Sequence, residues 1–205
     1  EAAAEEETAV DADSASLGNC PSDLGGYADA FPAALAAAGG DTTAIEAWMQ
    51  ECGAMSANRG EVLLTELNGD DLEDALIFPT IISDLGFGPD GSQGAILIYH
   101  ANEEGGFDLV HNPEIYGQPV PLAVDDLNAD GNIDVAWSIE SCSTAETSCV
   151  LEVQMMSWNG DVYTPTIEPG ATIAEGEASF APVAADDPGN GQALLLATGQ
   201  QAAER

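Results

Sequence analysis

The sequence predicts a mainly β protein with a small α part: an N-terminal helix hairpin followed by repeating units of antiparallel sheet. Three observations carry this. An acidic loop recurs at sixty-residue intervals: residues 66–74 read ELNGDDLED, 126–134 read DLNADGNID, and 186–194 read DDPGNGQAL, a worn copy. Self-similarity at a fixed period marks a repeating structural unit. Short apolar runs of strand length flank the loops, whereas residues 20–53 carry helical signals.

Taken in order, residues 1–19 (EAAAEEETAVDADSASLGN) are acidic, Ala-rich and aperiodic, the composition of a linker or tail. Residues 27–38 are rich in helix formers, Gly39-Gly40 stops them, and Pro32 marks a first turn or a kink. Thr43 and Glu46 form a capping box for a second helix, with Ile45, Trp48 and Met49 on one face and Gly53 beyond its end. The apolar stripe of this hairpin, 20–58, needs a support, and the β region 59–205 is expected to provide it. Trp48 and Met49 read as core.

From residue 60 the pattern is β. In a first unit, about 60–118, strands are expected at 62–64, 75–78, 95–99 and 107–110, with a Gly/Pro-rich loop at 86–94. In a second, about 119–178, strands at 120–124 and 134–138 flank the acidic loop; 150–158 follows, and an Asn159-Gly160 hairpin turn leads to 162–166. A partial third, 179–205, offers 180–184 and 193–197. The order is strand, acidic turn, strand, loop, strand, hairpin, strand, which makes one four-stranded antiparallel sheet per unit.

Charge narrows the partners. Two basic residues, Arg59 and Arg205, face 37 acidic ones, no lysine is present, and the net charge is −35. Nucleic-acid binding needs Lys and Arg to neutralise phosphate, so the composition argues against it; an anionic membrane surface repels the chain. No apolar run approaches the roughly 20 residues of a membrane span. The acidity has two sources: ligation of cations, and a solvated anionic surface that favours solubility while self-repulsion weakens the compact state. Salt relieves that repulsion, which suits a saline or calcium-rich habitat.

Four cysteines, Cys20, Cys52, Cys142 and Cys149, allow three pairings. Cys20–Cys52 and Cys142–Cys149 each close a local element, and no CxxC spacing suggests zinc or redox chemistry; four reduced, buried thiols are the plainer alternative. An even cysteine count in a lysine-free acidic chain points to an oxidising compartment. The chain opens on Glu-Ala-Ala-Ala with no basic and apolar leader, and is expected to be a mature form after signal removal.

The acidic loops carry the chemistry. Ca²⁺ takes six to eight oxygen ligands. The second loop offers Asp126, Asn128, Asp130 and Asp134, with the Asn132 carbonyl as a fifth ligand, and Gly131 for a turn with positive φ. The first offers Glu66, Asn68, Asp70 and Asp74 with the Leu72 carbonyl, but Glu66 is one methylene longer than Asp and Asp71 stands where the glycine should be. Weaker binding is expected there. The third keeps only Asp186 and Asn190 in register, so no metal is expected. Two Ca²⁺ ions are thus the expected cofactors. The plainer alternative is an Asx-rich turn with solvated carboxylates. An EF-hand is rejected: its twelfth position, a bidentate Glu, is Ile77 or Trp137 here, and the flanks are β.

DLNADGNID followed by VAW, with ELNGDDLED followed by ALIF, resembles the FG-GAP or VCBS-type calcium-binding repeat of integrin-α-like propellers and secreted bacterial proteins. The resemblance covers roughly 60–199. It implies Ca²⁺ bridging the turn between two strands of a blade. Closed propellers need about four to eight blades, and this chain holds two and a half. The expected fold is therefore an incomplete β-propeller-like array of antiparallel four-stranded blades, capped by the helix hairpin or completed by other copies.

Catalytic motifs are weak. Carboxylates are too abundant for any glycosidase pair to stand out. His100 and His111 lack acidic spacing for a metal site. No Gly-x-Ser-x-Gly, P-loop or HExxH occurs, and the GxGxxG at 86–91 precedes a strand rather than a helix. Trp137 and Trp158 suit core packing better than sugar stacking. The expectation is a secreted or surface-exposed, calcium-binding, non-catalytic binding or adhesion module. A protein, a glycan or further copies of the chain would be its partners. The alternatives are a structural subunit of an extracellular assembly and, last, a hydrolase.

Overall fold

In the computed structural model, residues 17–127, 131–142 and 149–166 are described in full, and 172–181 and 194–201 by their backbone. The element order is α1 (Leu24–Ala38), α2 (Thr42–Glu51), β1 (Val62–Thr65), β2 (Asp74–Ile77), β3 (Thr80–Ile82), β4 (Ser92–Ala95), β5 (Leu97–Ala101), β6 (Phe107–His111), β7 (Glu114–Ile115), β8 (Gln118–Asp125), β9 (Asp134–Cys142), β10 (Cys149–Trp158), β11 (Tyr163–Pro165), β12 (Thr172–Ala181) and β13 (Leu194–Gln201). All strand pairings are antiparallel.

The helix hairpin forms with two departures from the sequence reading. α1 begins at Leu24, capped by Asp23, whose Oδ1 accepts from Gly26 N at 2.8 Å. Pro32 therefore lies inside the helix. α2 is capped by Asp41 and not by the Thr43–Glu46 box: Asp41 Oδ1 accepts from Thr43 N and Ala44 N at 3.0 and 3.3 Å. A carboxylate one residue ahead of the helix satisfies two orphan donors, and the Thr43 hydroxyl has nothing left to cap. Cys20–Cys52 joins the outer ends of the hairpin, as its spacing suggests.

Each of the first two units is a four-stranded meander. The first sheet runs β1-β2-β5-β6; in the second, β8, β9, β10 and β11 pair in succession. A small sheet, β3-β4-β7, is absent from the sequence reading. Its central strand is Ser-Gln-Gly-Ala, without apolar alternation, and backbone pairing alone makes it a strand. It also splits the strand expected at 95–99, because β4 ends at Ala95 and β5 starts at Leu97. Gly94 is required there: a Cβ would collide with the ring of Pro119 on β8. β12 crosses the expected boundary at 178 and pairs with β10 through Leu151↔Ile173 and Glu152↔Thr172, while β13 pairs with β12. These last strands therefore extend the second sheet rather than opening a third.

The central strands of the first sheet, β2 and β5, are buried on both faces. Ala75, Ile77, Leu97 and Tyr99 face the helices, packing with Tyr27, Phe31, Leu35, Ile45, Trp48 and Met49. The alternate residues Leu76, Phe78, Ile96 and Ile98 face the second sheet, with Val135, Trp137, Met156 and Tyr163. Period-two alternation along a strand produces the two faces. One hydrogen bond fixes the helix layer. Pro32 has no N–H for the carbonyl of Ala28, four residues back. The buried Tyr99 hydroxyl donates to that carbonyl instead, at 2.8 Å. Tyr99→Phe leaves the carbonyl unpaired in the core; an unfolding free energy lower by about 1–3 kcal/mol in a denaturant titration is the expected result.

Candidate functional site

The two described acidic loops close in the same way. Each spans the turn of a hairpin, ending at the pairs Thr65↔Asp74 and Asp125↔Asp134, sixty residues apart. The leucine at the second loop position is buried in both, Leu67 and Leu127. Its backbone N–H donates to the aspartate at the ninth position: Leu67 N to Asp74 Oδ2 and Leu127 N to Asp134 Oδ2, both at 3.0 Å. The second oxygen is also engaged. Asp74 Oδ1 accepts from Ala101 N at 2.8 Å, and Asp134 Oδ1 accepts from the Ser157 hydroxyl. Both aspartates are 0% exposed, and a buried carboxylate persists only when its oxygens are hydrogen-bonded. Burial pushes the Asp74 carboxyl above its usual range; the N–H groups of Ala101 and Leu67 and the His100 ring pull it back, while Asp70 pushes it further up.

In the first loop the remaining oxygens turn toward the loop's own backbone. Glu66 Oε1 accepts from Asn68 N at 2.7 Å and from Gly69 N. Asn68 Oδ1 accepts from Asp70 N at 2.9 Å, Asp70 Oδ1 from Leu72 N at 2.8 Å, and Asn68 Nδ2 donates to Asp70 Oδ2 at 3.0 Å. This is a chain of Asx turns. Asp71 has φ +66°, the one described non-glycine residue in the left-handed region, and Gly131 holds the same loop position at φ +89°. In the second loop Asp126 Oδ2 accepts from Gly131 N at 3.0 Å. Asn132 follows Gly131; Asn128 and Asp130 lie outside the described residues, as does the worn third loop up to β13.

Whether these residues suit a cation follows from their chemistry. Each set is all-oxygen, as Ca²⁺ requires; in the first loop Asp70 is exposed, Glu66, Asn68 and Leu72 are half-buried, and Asp74 is buried. A carboxylate oxygen bonded to one N–H retains a lone pair. The carboxylates of Glu66, Asp70 and Asp74 are nonetheless not gathered within 4.8 Å of one another, because Asp74 is turned into the strands. The one such group among the described residues is Glu140, Cys142 and Cys149. Its two sulfurs form the Cys142–Cys149 disulfide across β9 and β10, so it offers no thiolate.

A second polar cluster joins the two units, and the sequence reading missed it. Continuing the β2–β5 register by one residue sets His100 opposite Asp74, the place Ser157 occupies opposite Asp134. His100 Nε2 lies 3.0 Å from Tyr163 Oη, and its ring meets Trp158 edge-on with centroids 4.6 Å apart. His111 packs on Tyr163 at 5.9 Å. Burial, then Asp74 and Glu66, push the Tyr163 phenol up; burial pulls the His111 imidazole down. The only sequence signal for this cluster was that both histidines of the chain fall in one unit. Trp137 is core, 5% exposed, and the GxGxxG segment forms the β3–β4 connection.

Searches of protein-family models, of curated proteins and of solved structures found no match to this chain.

Asp74→Asn sets an amide donor against a backbone N–H and should lower unfolding free energy by about 1–3 kcal/mol without added metal, measured by denaturant titration; Asp134→Asn should cost less, because its amide N–H can turn to the Ser157 hydroxyl, which also accepts. For His111 the folded pKa lies below the unfolded one, so its contribution is complete above about pH 6.5 and is lost as pH falls through that value toward the folded pKa. Asp74 and Glu61, held above their usual values by burial first, work in the opposite sense. The difference in stability between wild type and His111→Gln should therefore shrink from about pH 7.5 to about pH 5.5; a difference flat in pH would contradict the assignment.

Proposed function

We propose that this chain is a non-catalytic binding module that works outside the cytoplasm and is stabilised by calcium in its two acidic hairpin loops. The observation that carries the reading is the shared closure of those loops: the same buried leucine, the same N–H to the ninth aspartate and the same closing pair, sixty residues apart. Glu66, Asn68, Asp70, Asp74 and the Leu72 carbonyl would hold one ion; Asp126, Asn128, Asp130, Asp134 and the Asn132 carbonyl would hold the other. A bound cation offsets repulsion among carboxylates crowded into one turn and locks each hairpin. The two meanders are read as blades of an incomplete propeller-like array, one capped by the helix hairpin. The two disulfides are typical of extracellular proteins and support that location.

A second reading, a subunit of an extracellular assembly, draws on exposed apolar side chains near the small sheet. Ile82, Leu85, Phe87 and Tyr116 are each more than half exposed, and the Phe87 and Tyr116 rings lie 6.4 Å apart. Sedimentation in Ca²⁺ separates the two: a single monomeric species favours the binding module.

Thermal unfolding in Ca²⁺ and in EDTA at matched ionic strength tests calcium directly. Binding to the folded state alone should add roughly 2.7 kcal/mol at a hundredfold excess over Kd, a rise of several degrees. Asp130→Ala should remove most of that rise and Asp70→Ala a smaller part. Identical melts in the two buffers would leave the loops as solvated turns and remove the calcium reading.

A further inference from the structure

A cavity of about 160 Å³ lies where the end of β6 meets β9, β10 and β11. The rings of His111, Trp137 and Tyr163 line it, together with Met155, Met156 and Gln154 and two prolines. This is an apolar wall of rings and thioethers with few polar atoms. Its electrostatic setting is the reverse of apolar. Gln154 Nε2 donates to Glu152 Oε1 at 2.8 Å, which places a carboxylate beside the lining. Asp74 and Glu66 are close enough to act on Tyr163. Among the described residues no Lys or Arg lines the cavity; the one fully described basic residue, Arg59, is paired elsewhere with Asp90 at 2.5 Å. His111, with its basicity lowered by burial, adds no positive charge near neutral pH.

These features select a ligand class by elimination. The negative field of a chain with net charge −35 repels anions. A metal ion needs roughly six oxygen ligands and a primary ammonium three acceptors, whereas the side-chain oxygens of this wall are the Gln154 amide and the Tyr163 hydroxyl, the latter already engaged with His100. A methylated ammonium has few or no N–H groups to satisfy, is large and polarisable, and is attracted by aromatic rings and by surrounding carboxylates. We propose that this cavity binds a small organic cation of the methylated-ammonium class, its methyl groups against the rings and thioethers and its charge on the side of the Glu152 carboxylate.

The test uses the full chain and the indole N–H resonances of its tryptophans, with choline and its uncharged isostere 3,3-dimethylbutan-1-ol titrated at matched ionic strength. Choline should shift the Trp137 resonance saturably and leave Trp48, in the helix layer, unmoved. The isostere should bind at least about tenfold more weakly. Gln154→Lys places a cation at the lining and should weaken choline about tenfold while sparing the isostere, and Glu152→Gln should weaken choline to a smaller degree. No saturable shift at Trp137, equal affinity for the two compounds, or choline binding insensitive to both substitutions would overturn the proposal. A peptide carrying trimethyllysine distinguishes the source of the group: tighter binding than choline marks a protein-borne cation, and equal or weaker binding marks a free solute. Each titration is run in Ca²⁺ and in EDTA, so failure in both removes the cavity site, while the melts above judge the calcium reading separately.

Discussion

The double burial of the first sheet organises this molecule. β2 and β5 present one set of side chains to the helix hairpin and the alternate set to the second sheet. Fully burying an aliphatic or aromatic side chain contributes about 1.5–3 kcal/mol, and such side chains on both faces make this sheet the thermodynamic centre of the fold. The helices and the second sheet each contact it on one face only. The helix layer is held by this apolar packing and by one buried hydrogen bond. Pro32 frees a carbonyl that Tyr99, from the sheet, reaches, so the defect in the helix is also a point of contact with the sheet.

The chain's charge makes this core harder to maintain, and the structure shows where the difficulty is met. Asp74 and Asp134 are buried, yet each accepts from two donors that belong to the backbone or to a neighbouring strand. Glu61 feels burial first and then Glu46, and its carboxyl is pushed up. Arg59, in a chain with two basic residues, is spent on Asp90 and ties the turn after the helices to the β3–β4 connection. The other carboxylates among the described residues are at least partly exposed, where water and salt screen them. The two cation sites proposed above, the acidic hairpin turns and the ring-lined cavity, differ in chemistry: one offers oxygens and the other rings.

Those two places are linked through the junction between units. His100 follows Tyr99 on β5, sits beside Asp74 and meets Tyr163 of the second unit. Tyr163 in turn lines the cavity with His111. A short row of contacts thus runs from the first loop to the cavity.

Much of the architecture was legible because it is local. The sixty-residue period, the strand-length runs around each loop, the helix formers at 27–38 and the cysteine spacing each depend on residues near one another in the chain, and the meanders, the helix hairpin and both disulfides follow from them. The positive φ at Asp71 was legible for the same reason, since the loop must turn there whichever residue stands in the glycine's place. What the sequence could not express was which way a side chain turns once partners from distant strands arrive. Asp74 reads as a loop ligand, but Ala101 N, twenty-seven residues on, draws one oxygen into the strands. The small β3-β4-β7 sheet, the joining of β12 to β10, the Tyr99–Ala28 bond and the cluster of His100, His111, Trp158 and Tyr163 are all long-range pairings. Periodicity specifies which face of an element is apolar; only tertiary packing decides which polar atoms meet across those faces, because such meetings depend on the relative placement of whole sheets.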